Sequence, residues 1–181
     1  FINLEKMLKK RILPFLLALC LAFSGCAATP GIEKLLSPPR LTEEQSEIYA
    51  ALLNSAGKDI KLKYPKSGDY RSAFVMKNID DEPTEEAIVF CEMSSVKANE
   101  NALRMNILDH TEKGWSVVFD LPGLGTDVEE VIFSTLGNSE RLNLIVGYSM
   151  LNQTEKTLSV VNYSDSKPTE LFSGSYSLMK V

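Results

Sequence analysis

Past residue 40 the spacing of apolar positions changes character once. Ile48, Tyr49, Leu52, Leu53 and Ala56 recur at helical intervals, which marks an amphipathic helix. Thr42-Glu43-Glu44-Gln45 stands in front of them as a capping box, Thr42 accepting from the Gln45 amide while Gln45 reaches back. Glu43 and Glu44 suit the positive end of the helix dipole, and Gly57 supplies a stop. The pattern predicts one helix over residues 43–56, with its apolar stripe packed on the domain behind it.

After the turn-rich stretch Tyr64-Pro65-Lys66-Ser67-Gly68-Asp69 the period becomes two. Leu103, Met105 and Ile107 alternate with Arg104 and Asn106, and Trp115, Val117 and Phe119 alternate with Ser116 and Asp120. Predicted strands are Tyr70–Lys77, Glu86–Glu92, Ala102–Asp109 and Trp115–Leu121. A second series is Val128–Ser134, Leu142–Ser149, Leu158–Tyr163 and Thr169–Ser173. Glu112-Lys113-Gly114, Gly137-Asn138-Ser139 and Ser164-Asp165-Ser166-Lys167-Pro168 carry turn chemistry between strands. Short, evenly spaced strands without long crossover helices predict antiparallel sheets.

Laid on itself at an offset of 57, the chain places Phe74-Val75-Met76 on Val131-Ile132-Phe133 and Ala87-Ile88-Val89-Phe90 on Leu144-Ile145-Val146-Gly147. Four-stranded units repeated in this way are how propeller blades are built. The turn Asn78-Ile79-Asp80-Asp81-Glu82-Pro83-Thr84-Glu85-Glu86 resembles the D-x-D-x-D-G-x-x-E signature of FG-GAP/VCBS-type propeller repeats. The resemblance implies calcium held by Asn78, Asp80, Glu82 and Glu86. Pro83 stands where that signature has glycine, and the second unit offers only Thr135, Gly137, Ser139 and Asn143. The turn is therefore read as a solvated acidic loop, with no cofactor expected and calcium as the alternative.

The fold class expected is mainly β: antiparallel, four-stranded, blade-like repeats forming a partial β-propeller, preceded by one amphipathic helix. The helix lies in residues 41–60, the first unit in 61–127 and the second in 128–175. Residues 176–181 alternate again and are expected to begin a third unit.

The front of the chain reads differently. Lys9, Lys10 and Arg11 precede an apolar run from Ile12 to Phe23. Twelve residues at 1.5 Å rise cover ~18 Å, too short for a hydrocarbon core of ~30 Å. A basic head, a short apolar run and a small-residue exit are the parts of a secretory signal peptide. Its exit, Leu21-Ala22-Phe23-Ser24-Gly25-Cys26, resembles the lipobox of bacterial lipoproteins. That resemblance implies cleavage before Cys26 and acylation of its sulfur, palmitate among the acyl groups. Residues 1–25 would be the signal peptide, with the true start at Met7, and residues 26–40 a lipidated tether. With three prolines and a glycine in 27–40, the tether reaches at most about 50 Å.

Composition narrows the chemistry. The 181 residues carry 19 basic and 24 acidic side chains, a net charge of −5, so a nucleic-acid surface is a poor fit. Loss of residues 1–25 removes four basic residues and one acidic one, leaving −8. Anionic headgroups repel such a body, so the expected membrane partner is reached through acyl chains on Cys26. A single histidine forbids a multi-histidine metal site and leaves any Ser/His/Asp triad to His110. His110 sits in a turn-like segment and reads as a solvated residue. Cys91, inside an apolar run, reads as a small buried hydrophobe.

The expectation is a lipid-anchored protein on the extracytoplasmic face of the cell membrane, acting without catalysis as a binding or scaffolding module. Its ligand would be a protein or a glycan. The rival is an envelope hydrolase of glycans or peptides, with catalytic residues in a further C-terminal part.

Overall fold

The computed structural model describes residues 40–179, apart from 58, 81, 95–100, 138–139, 152–153 and 165–166. The helix α1 (Glu43–Ala56) is followed by β1 (Ile60–Leu62), β2 (Phe74–Lys77), β3 (Glu86–Met93), β4 (Leu103–Thr111) and β5 (Gly114–Pro122). Then come β6 (Asp127–Thr135), β7 (Leu142–Ser149), β8 (Lys156–Ser164) and β9 (Lys167–Tyr176). The fold is mainly β. Among the described residues no helix is long and apolar enough to cross a membrane.

The capping box forms as the sequence predicts. Thr42 Oγ1 accepts from the Gln45 amide at 3.1 Å, and Gln45 Oε1 accepts from the Thr42 amide at 3.2 Å. Gly57 ends α1 at φ 95°, a left-handed conformation that glycine takes without a Cβ penalty.

All strand pairs are antiparallel. In the first sheet β3 pairs with β4 and β4 with β5, while β1 and β2 share the remaining edge of β3. β2 pairs at Glu86–Val89 and β1 at Cys91–Met93. In the second sheet the order is β6-β7-β8-β9. Both sheets are open, and the pairs described form no closed ring.

Two cores separate three layers. Ala73, Phe74, Ala87, Val89, Cys91 and Leu108 pack with Ile48 and Leu52 of α1 on one face of the first sheet. Val75, Ile88, Phe90, Leu103, Met105 and Ile107, on its other face, pack against Val128, Val131, Leu144, Val146, Tyr148, Val161 and Tyr163 of the second sheet. Alternation along β3 produces this split, since neighbouring side chains of a strand point to opposite faces. Each buried Val, Leu, Ile, Phe or Met among them contributes roughly 1.5–3 kcal/mol relative to exposure.

Residues 63–67 tie the sheets together at one edge. The Lys63 amide donates to the Phe90 carbonyl, while the Lys66 and Ser67 amides donate to Val128 and Glu129 of β6. Asp127 takes ion pairs from Lys63 at 3.0 Å and Lys66 at 3.3 Å. The Lys63 hydrogen bond is the main reason its carboxyl is held below the usual aspartate value.

Three local expectations change. The first unit contains β1, a three-residue strand that the sequence pattern does not announce. Tyr70–Ser72 are not in a strand, and β2 begins only at Phe74. At the far end Tyr176 closes β9, and residues 177–179 form no fresh strand; residues 180 and 181 lie outside the described residues.

Candidate functional site

The packing of Ile48 and Leu52 on the first sheet brings the first turns of α1 beside the β4–β5 hairpin. There a cleft of about 510 Å³ is lined by Glu43, Glu44 and Glu47 from the helix, Met76 from β2, and Thr84 and Glu85 from the β2–β3 turn. His110 of β4 and Trp115 of β5 complete the wall. They are cross-strand partners, with ring centroids 4.9 Å apart and planes inclined by 57°. An indole with four carboxylates around it is suited to a cationic group, because the ring face and the carboxylates both attract positive charge. The dipole of α1 offsets part of the repulsion between Glu43 and Glu44.

His110 is exposed, as the sequence reading expects, although it lies within β4 rather than in the turn. Trp115 is only half-buried and packs beside the helix core as well as lining the cleft. Tyr148 and Tyr163, by contrast, are core residues. The cleft was not legible in the sequence. The capping box and the Glu112-Lys113-Gly114 turn are both visible there, but nothing in either says that they meet or that His110 faces Trp115.

The 78–86 turn connects β2 to β3. Asn78 Nδ2 donates to the Glu82 carbonyl, and Asp80 Oδ1 accepts from the Glu82 amide at 2.8 Å. Asn78 and Asp80 thus brace the backbone of their own turn, as Asx side chains commonly do. Glu82 is exposed. Glu86 is fully buried, and its Oε2 accepts from the Ile79 amide at 2.8 Å. The four candidate ligands therefore differ in their surroundings, and among the described residues no three His, Cys, Asp or Glu side chains form a metal-holding group. Asp81, within the same turn, lies outside the described residues.

Glu86 belongs to a buried polar group that crosses the two sheets. Its Oε1, Asp109 Oδ1 of β4 and the Tyr163 hydroxyl of β8 are all buried without a hydrogen-bond partner. Burial raises the Glu86 carboxyl from 4.5 to about 7, with the charges of Asp80 and Asp109 adding to the effect. Burial also pushes the Tyr163 phenol up to about 12, reinforced by Asp109, Asp80, Glu86 and Glu82. The composition of the turn suggested acidity but not this inward member. A glutamate at the first position of a central strand is the signal that points to it.

Cys91 is buried, and desolvation pushes its thiol up to about 11, so it stays a protonated core residue at neutral pH. Cys26, the proposed acylation site, and the whole of residues 1–39 lie outside the described residues. Comparison of the chain with protein-family profiles, curated protein sequences and solved structures found no match.

Proposed function

We propose that this protein is a lipid-anchored, extracytoplasmic binding module that works without catalysis and engages a positively charged segment of a protein ligand through the cleft beside α1. The observation that carries the binding role is the placement of Trp115 among Glu43, Glu44, Glu47 and Glu85. Such a site attracts Lys or Arg side chains by charge and holds them against an aromatic face. Anchoring rests on the basic, apolar, Ser24-Gly25-Cys26 series, with acyl chains on Cys26 holding the protein at the membrane. In this reading the two sheets are successive blades of a partial β-propeller, joined to the membrane through the lipidated 26–40 tether.

Trp115 is the chain's single tryptophan, so its fluorescence reports the cleft directly. Titration of the full chain with an oligolysine peptide at low salt is expected to shift Trp115 emission saturably. The shift should reverse with salt and weaken in Glu47→Lys. An emission unchanged by oligolysine, or changed equally by oligoglutamate, would remove the cleft from the proposal.

A further inference from the structure

Two residue types occur once in this chain, and the fold puts them in contact. His110 is the single histidine and Trp115 the single tryptophan. Their cross-strand pairing sets both side chains on one face of the β4–β5 hairpin, with the ring centroids 4.9 Å apart. That face is the one α1 covers, since Trp115 packs with the cluster of Ile48 and Leu52. His110 therefore opens into the same cleft as Glu43, Glu44 and Glu47 of α1 and Glu85 of the β2–β3 turn.

The neighbouring charges leave His110 alone in one respect. Lys77, next to the lining residue Met76, reaches over the Phe133 ring, 5.9 Å from its centroid, and Phe133 packs against the core between the sheets. Glu112 and Lys113 are exposed in the β4–β5 turn and do not line the cleft. Asp109 of β4 keeps its Oδ1 buried, as Glu86 of β3 keeps its Oε1. Among the described lining residues four are carboxylates, and His110 is the one that can become a cation. Histidine is also the side chain whose charge changes between pH 5 and 8.

We propose that His110 is a proton-operated gate on the cleft. The proposal rests on the reading of that cleft as the site for a positively charged segment. When protonated, the imidazolium lies beside the Trp115 ring and among the four carboxylates, where the ligand's ammonium or guanidinium would lie. It cancels one of the four negative charges and sets a like charge against the incoming cation. When neutral, it leaves ring and carboxylates to the ligand. Binding is therefore stronger at pH 8 than at pH 5.5. By linkage an occupied cleft must also hold the His110 proton less tightly. Water screens charges at this exposed position, so the difference in affinity between the two forms is about fivefold. The same factor lowers the protonation midpoint of His110 by about 0.7 pH unit at saturation.

The single tryptophan and the single histidine report the two halves of this exchange separately. The full chain, free of any added histidine, is titrated with oligolysine at fixed ionic strength at pH 8 and at pH 5.5. Trp115 emission gives the affinity, and the ring-proton NMR signal of His110 gives its protonation with and without saturating oligolysine. The wild type is expected to bind about fivefold more weakly at pH 5.5, and its His110 midpoint to fall when oligolysine is bound. In His110→Gln the affinities at the two pH values should be equal, whatever their level. Equal affinities in the wild type, the same pH dependence in both proteins, or a His110 midpoint that oligolysine does not move would overturn the gate and leave the cleft a binding site. No response of Trp115 to oligolysine at either pH would remove the binding site and the gate together.

Discussion

The Glu86 carboxylate accepts a 2.8 Å hydrogen bond from the Ile79 amide while wholly excluded from solvent. One amide does not replace the hydration of a charged carboxylate, and the second oxygen has no partner.

A pH dependence with a definite sign follows. The folded carboxyl titrates near 7 instead of 4.5, so between these values the folded state binds more protons than the unfolded state. Its contribution to stability is therefore fully present below about 4.5 and is lost as pH rises through about 7. The slope is at most ~1.4 kcal/mol per pH unit. Urea melts at several pH values across that window should show stability falling in the wild type and a flatter profile in Glu86→Gln. Equal slopes in both proteins would place the proton on another group.

Phe90 tests the core between the sheets. It is fully buried there, and Phe90→Ala should cost ~3–5 kcal/mol. Leu171, the 56% exposed residue at the β9 irregularity, should lose less than ~0.5 kcal/mol on truncation to alanine. Chemical denaturation compares the two. Similar losses would mean that the sheets are not held by this cluster.

Periodicity carried most of the fold. The helix pattern at Ile48, Leu52 and Ala56 and the alternation around Leu103 and Trp115 needed no tertiary knowledge, because burial on one face writes itself into every second or every third to fourth residue. β1 escaped because three residues are too few to show a period. Pro168 looked like a strand breaker yet lies in β9, where an edge strand tolerates a missing amide donor. The cleft escaped for another reason. Glu47 and Trp115 are 68 positions apart, and only the packing of α1 on the first sheet joins them.

Calcium is expected to leave the fold unchanged. Asn78 and Asp80 are engaged within the turn, and Pro83 fixes φ near −65° where the resembled signature has glycine. A bound ion at a hundredfold excess over its dissociation constant would add ~2.7 kcal/mol. Thermal melts with millimolar calcium and with chelator should coincide. A rise of several degrees that vanishes in Asp80→Ala would make the turn a working site.

Anchoring through Cys26 is the claim on which the location and the working position of the cleft both depend. Metabolic labelling of bacterial cells expressing the full chain with a radioactive or clickable fatty acid tests it most directly. The account predicts label on the wild-type protein, retention in the membrane fraction, and loss of both in Cys26→Ser. Equal labelling of wild type and Cys26→Ser, or none in either, would contradict it.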